Sequence, residues 1–389
     1  MSAFPPSLSG RADAGPPADE AGALLTVDLD ALSANWRLLR DRAGGAECAA
    51  VVKADAYGIG LEPAVRALSG AGCRTFFVAH FAEGHRARQA CTDATVYVLN
   101  GFPPGTFGAY ARSDLRPVLG SQDELSEWAD SCRAVGEKRP AALHVDTGMN
   151  RLGFPLDEGV ALAGDERLHA FAPALLMSHF VSSEEPEDPI NARQLADFAE
   201  LRAAVPGLPA SLSNSSGIFL AGAPHHDLVR PGYALYGGNP TPGRPNPMRP
   251  VVRLDARVIQ VREAVDGERA GYNGRWTARG PRRLATLSVG YADGFPRAAS
   301  GTDEKAEASA PAGEAIVAGR RCPFAGRVSM DLIIVDVTGL PPDAVRRGDR
   351  ATLIGDGLTI DEVGRRAGTI GYEILTGLGR RYARTYRGL

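Results

Sequence analysis

Lys53 closes the apolar run CAAVVK and is followed at once by ADAYGIG. An amine at the end of such a run is costly to bury. Two readings stand: the side chain snorkels into water, or desolvation makes it a nucleophile able to form a Schiff base. Tyr57, Gly58 and Gly60 follow, offering a hydroxyl and backbone that a ligand can approach closely. Other segments place polar groups after apolar runs in the same way: Asp146 to Arg151, His179, Ser213 to Ser216, and Arg230 with Gly232. Groups at and just after the C-termini of barrel strands face an active site. Taken singly, SNSS also reads as a helix cap, and Arg230 as one half of a structural ion pair.

The elements that would hold these groups alternate. Apolar or β-branched runs end near Lys53, Ala79, Leu99, Val118, Asp146, His179, Ser213 and Arg230. Helix-like stretches separate most of them, with the clearest periodicity over Glu62–Ala71, Asp123–Val135 and Asn191–Val205. Continuous apolar strands imply a parallel sheet covered on both faces. About eight such units within about 220 residues predict an α/β fold, an N-terminal (β/α)8 TIM-type barrel, with active-site groups at the strand C-termini. Pattern alone leaves a doubly wound sheet open, because the last strands lie close together. Beyond Tyr236, GGNPTPGRPNPMRP is a connector too rich in breakers for a regular element. Alternating runs such as VVRLDARVIQVREA and LIIVDVTGL then predict a mostly β C-terminal domain. The expected divisions are a disordered tail over 1–22, the barrel over 23–238 and the β domain over 239–389. Residues 298–314, polar and rich in small side chains, read as a solvated loop.

Composition narrows the function classes. The 389 residues carry 43 Lys+Arg against 46 Asp+Glu, a net charge of −3, which argues against nucleic acid or an anionic membrane as the main partner. No apolar run approaches the roughly 18 residues that span a bilayer. The 5 cysteines are scattered with no C-x-x-C pair, so neither a disulfide framework nor a zinc site is expected, and the cytoplasm is the natural compartment. The N-terminal stretch lacks the apolar core of an export signal.

VVKADAYGIG resembles the cofactor-attachment segment of alanine racemases, the fold-type III pyridoxal-phosphate-dependent racemases. HVDTGMNRLGF, SHF, SNSSGIF, RPGYALYG, GYNGRWTA, VGYADGFPR, GRVSMD and GYEIL follow in the family's order, over nearly the whole chain after the tail. The resemblance implies a homodimeric, cytoplasmic isomerase that interconverts L- and D-alanine and supplies D-alanine for peptidoglycan. Lys53 would hold pyridoxal 5'-phosphate and, once released by substrate, act as the base for D-alanine. Tyr272 would be the opposing base for L-alanine, since inverting Cα needs proton transfer on both faces. Tyrosine has a reference pKa near ~10 and needs help to act as a base. His179 and Arg230 are implied to link Tyr272 to the cofactor, with Arg230 facing the pyridine nitrogen and keeping it unprotonated. Tyr57, Ser215 and Tyr372, with the backbone of Gly232 and Tyr233, would anchor the phosphate. Arg151 and the backbone of Met330 would take the substrate carboxylate, with Tyr291 in the same pocket. Tyr272, Tyr291 and Met330 would reach the partner subunit's cofactor, so that each site is shared between two chains.

One departure concerns Arg151. Many family members carry a lysine, carbamylated in some, seven residues before this arginine, where this chain has His144. His144, an anion or water must then position Arg151. Two other readings compete. A decarboxylase on the same barrel is disfavoured by Arg230, where such enzymes place an acid. A non-catalytic pyridoxal-phosphate carrier is disfavoured by the whole second domain. A racemase of broader specificity stays open, depending on the room around Tyr291, Met330 and Tyr372.

Overall fold

Seven parallel strands run in chain order around a curled sheet: Ala50–Val51, Thr75–Val78, Thr95–Val98, Arg116–Leu119, Pro140–His144, Ala172–Met177 and Ala210–Ser211. The structure, a computed structural model, describes residues 15–388. An eighth strand, Leu228–Val229, pairs in parallel with Glu47–Cys48, just before the first. The Ala49 and Val51 amides donate to Val229 and Pro231, while Asp227 donates to Ala210 on the seventh strand and Arg230 to Ser213 just beyond it. Those bonds close the ring. Strand order never reverses, which excludes the doubly wound alternative.

The chain divides into two compact units, Asp30–Arg249 and Met1–Leu29 with Pro250–Leu389. In the barrel unit all of Thr75–Val78 is buried, as a strand covered on both faces requires. Helices Leu61–Ala71, Gln122–Val135 and Pro189–Ala204 lie within two residues of the expected ones. Their starts are specified locally. Ser121 accepts from the Glu124 amide, and Asp188 accepts from Ile190 with Pro189 in the first turn.

The second unit is built on the long strand Val252–Ala264, which pairs antiparallel with Ala23–Asp28, Arg282–Leu287 and Arg350–Ile354. Ala23–Asp28 also pairs in parallel with Ala383–Arg387. The first strand of the chain therefore belongs to the β unit, and the barrel unit begins at Asp30 rather than residue 23. The connector after Tyr236 stays with the barrel unit because Asn35 ties it down. Its side chain donates to Leu235 (3.0 Å) and Arg249 (2.9 Å) and accepts from the Arg249 amide (2.8 Å).

Most of the expected tail, residues 1–14, lies outside the described residues. Within the rest, Glu20 and Ala21 donate to Pro17 in a turn. Residues 298–314 are more ordered than a solvated loop. They contain the helix Asp303–Glu307 capped by Thr302, and buried Ser300 accepts from the Val328 amide (3.0 Å). Among the described residues no helix is long and apolar enough to cross a membrane.

Candidate active site

The C-terminal ends of the barrel strands gather Lys53, His144, Arg151, His179 and Arg230. Their proximity is registered electrostatically: Arg230, Arg151, His144 and Lys53 all act on His179. Burial first, then Arg230 and Arg151, hold the His179 imidazole well below its usual range. His144 is pulled down to about 4 by burial and by Arg230. Both rings are neutral near pH 7. Burial and Arg151 also lower the Lys53 amine, while Glu83 raises it.

Arg230 is 3% exposed, and burial draws it down to about 9, so it stays protonated at neutral pH. It donates through Nη1 to Ser211 Oγ and through Nη2 to the carbonyls of Ser178 (2.5 Å) and Leu212 (3.5 Å). Nη2 also faces His179 Nδ1 at 3.4 Å, which leaves the imidazole proton on Nε2. Among the described residues these partners are all neutral, and Lys53 and Arg151 likewise form no ion pair. Three basic groups without a paired carboxylate among the described residues make this barrel mouth a site for an anion.

The chain after Lys53 takes a disfavoured path. Ala54, Asp55, Ala56 and Tyr57 have φ of 55°, 54°, 54° and 52°, one turn of left-handed helix made of non-glycine residues. Each such residue costs roughly 1–2 kcal/mol, so the surroundings must hold it. Glu83 accepts from the Ala54 amide (2.6 Å), and Asp55 accepts from Leu61 (3.1 Å) and Arg86 (2.8 Å). Tyr57 stacks on Tyr236 with ring centroids 4.5 Å apart.

Ser215 Oγ accepts from the amides of Gly232 (3.0 Å) and Ala234 (3.2 Å), so the Gly232 N–H is engaged by that hydroxyl. A Cβ on Gly232 would lie 2.3 Å from Tyr57 Oη. Only glycine lets the tyrosine hydroxyl, Ser215 and this backbone share one corner. Buried Ser213 Oγ has no hydrogen-bond partner. Arg151 is presented by a loop that Asp146 shapes, accepting from the amides of Gly148, Met149 and Asn150. With His144 and Leu152, Arg151 lines a cavity of about 510 Å³. The His144 ring makes no hydrogen bond to Arg151.

Tyr233 is buried in the barrel unit, and the other expected site residues lie on the β unit. Tyr272 is 68% exposed in the turn Tyr272–Gly274, and Met330 is 52% exposed. Tyr291 and Ala292 donate to Ser329 and Met330, so the YAD and SMD loops are joined. Gly290 permits this, because a Cβ there would meet the Met330 carbonyl at 2.3 Å. Asp331 pairs with Arg381 (2.9 Å), which also reaches Asp293 (3.2 Å). Tyr372, in the helix Gly371–Thr376, is half-exposed.

Residues 27–240 match the alanine racemase N-terminal domain, and 251–386 match the alanine racemase C-terminal domain. The chain belongs to the alanine racemase family. An alanine racemase from Methylobacterium nodulans is 64% identical over 365 residues, covering 94% of this chain and 96% of that one. One from Rhodospirillum rubrum is 48% identical, covering 95% and 97%. Among solved structures, the alanine racemase from Bartonella henselae with covalently bound pyridoxal phosphate superposes with a TM-score of 0.88. It is 38% identical and covers 94% of this chain and 100% of its own.

The cofactor of this alanine racemase is pyridoxal phosphate, and the residues present fit it. A lysine with a lowered pKa suits the aldehyde, and a buried unneutralised guanidinium suits a ring nitrogen lone pair. The Tyr57–Ser215–Gly232 corner suits the phosphate. Ser178, Ser211, Gln194 and Glu83, absent from the expected site, hydrogen-bond Arg230, the His179 carbonyl and the peptide after Lys53. Gln194 is fully buried and donates to Thr147 (3.0 Å) and the His179 carbonyl (2.9 Å). Nothing in its helical sequence marks it. Glu83 did carry a signal: an acid three residues after His80, where strand passes to helix, is a capping pattern.

Proposed function

We propose that Lys53 and Tyr272 are the two bases by which this enzyme interconverts L- and D-alanine. The alanine racemase activity itself follows from the family; the residue roles are our assignment. The observation that carries them is the cluster of Lys53, Arg151 and Arg230, none of them in an ion pair among the described residues, around neutral His179. Pyridoxal phosphate, when bound, supplies the electron sink that makes the Cα proton removable. The protein has the remaining work: Lys53, already lowered by burial, takes or returns a proton on one face. Tyr272 does so on the other. Arg230 fixes the His179 proton on Nε2, where it can stabilise a deprotonated Tyr272. Arg151 holds the substrate carboxylate as a bidentate fork. Tyr57, Ser215, Tyr233 and Tyr372 anchor the phosphate, and Gly232, whose N–H is taken by Ser215, leaves the room beside the Tyr57 hydroxyl.

Two copies of the chain build each site. The exposure of Tyr272, Met330 and Ile370 (68%, 52% and 62%) supports this, because such residues on one unit are expected under a partner surface. A cytoplasmic role in supplying D-alanine to peptidoglycan follows from the same reading. Borohydride reduction of the holoenzyme, followed by peptide mapping, should fix the cofactor on Lys53. Chiral chromatography of products from a panel of L-amino acids should give D-alanine as the dominant product. Label on another lysine, or no D-product, would overturn the assignment.

A further inference from the structure

We propose that Glu83, outside the cofactor and substrate contacts, is a positioning residue that sets the direction and basicity of Lys53. The inference rests on Lys53 being the cofactor lysine. The amide immediately after Lys53, on Ala54, donates to Glu83 Oε1 at 2.6 Å. The other carboxylate oxygen accepts from Ala79 (2.9 Å) and His80 (3.3 Å), just past the neighbouring strand Thr75–Val78. One half-buried side chain therefore bridges two adjacent strand ends at the point where the backbone enters its left-handed turn.

Such a turn of non-glycine residues does not persist unaided. Its second brace is the group formed by Asp55, Arg86 and Glu62, in which Arg86 donates to Asp55 (2.8 Å) and to Glu62 (2.6 and 2.7 Å). That brace acts two residues on from Lys53. Glu83 acts on the adjacent peptide, so it controls how the Lys53 side chain leaves the barrel wall. Its charge has a separate effect. The charged groups acting on Lys53 are Arg151, which disfavours the ammonium, and Glu83, which favours it, with neutral His179 beside them. A lysine that must both hold a cofactor and accept a proton needs this balance.

Glu83→Gln removes the charge and keeps one acceptor; Glu83→Ala removes both. Arg321→Ala, which breaks ion pairs to Glu314 and Glu362 on the other unit, serves as a purely structural control. The three holoenzymes and wild type would be compared for kcat and KM with L-alanine across pH, the spectrum of bound cofactor, and thermal midpoint. We expect kcat to fall about tenfold in Glu83→Gln and about a hundredfold in Glu83→Ala, with KM changed by less than about threefold. The acid-side limb of kcat should move to lower pH in both, because the lysine loses its favourable carboxylate. Arg321→Ala should leave the limb and the spectrum where they are. Wild-type kcat in Glu83→Ala, or a fall in kcat with an unmoved acid limb and spectrum, would overturn the proposal. Borohydride mapping on wild type separates the underlying reading: label on a lysine other than Lys53 removes both together.

Discussion

Arg230 and Tyr272 mark two ways of preparing a side chain for chemistry. Arg230 is 3% exposed, held by Ser211, Ser178 and Leu212, and lies in the barrel unit with no carboxylate to neutralise it. Tyr272 is 68% exposed on a turn of the β unit whose next residue, Asn273, has a φ of 61°. The barrel unit preorganises by burial and hydrogen bonds, which shift proton affinities before any ligand arrives. The β unit preorganises by loop geometry alone and leaves the side chain uncovered. In the first case the protein interior tunes the group; in the second the tuning must come from whatever covers it.

Substitutions on the two sides should separate accordingly. The largest effect is expected at Lys53: Lys53→Ala should lower racemisation by about 10³-fold or more and abolish covalent cofactor retention together. Activity and cofactor absorbance surviving there would break the barrel half of the comparison. Tyr272→Phe should lose about 10²- to 10³-fold in turnover while the cofactor spectrum persists, because the role proposed for it is confined to proton transfer. Near-normal turnover of L-alanine would remove it from the mechanism.

Arg230→Gln should cost about 2–3 kcal/mol of barrel stability, read by urea unfolding, since it strands buried carbonyl and hydroxyl acceptors. Acid should act on the same unit. Burial holds His144 down to about 4 in the fold against a usual 6.5, so below pH 6.5 the unfolded chain binds a proton that the native state refuses. Its contribution to stability is complete above pH 6.5 and is lost as the pH falls from there toward about 4. Urea midpoints at pH 7 and 4.5 should therefore differ less in His144→Asn than in wild type, and an equal difference would contradict the neutral assignment.

The smallest effect is expected on the β unit's surface. Arg321 joins Glu314 and Glu362, which also pair with Arg366, but its side chain is 44% exposed. Arg321→Ala should cost at most about 1 kcal/mol and matter less still in high salt. A loss comparable to that of Arg230→Gln would erase the contrast between the units.

Much of this arrangement was legible in the sequence. Strand ends read at Lys53, His179, Ser213 and Arg230 coincide with the barrel strands, because covered parallel strands are continuous apolar runs. The helix starts at Ser121 and Asp188 were equally local. Ala23–Asp28 was misassigned for a definite reason. The expected barrel boundary at residue 23 took it in because it directly precedes the barrel elements in the chain, yet its hydrogen-bond partners are Val252–Ala264 and Ala383–Arg387, hundreds of residues away. The segment 298–314 read as a loop because its composition is polar, while its order comes from Thr302, Ser300 and contacts of Lys305 with the Ala298 carbonyl (2.6 Å).

By itself the sequence determined the family, the cofactor chemistry and the identity of the titratable groups, since those reside in residue types and their order along the chain. Tertiary structure alone decided their state. That His144 is neutral, that Arg230 is charged without a counter-ion, and that the chain turns left-handed after Lys53 depend on burial and on partners distant in sequence. A dielectric environment and a hydrogen-bond partner are properties of a place in the fold, and no local stretch of residues encodes either.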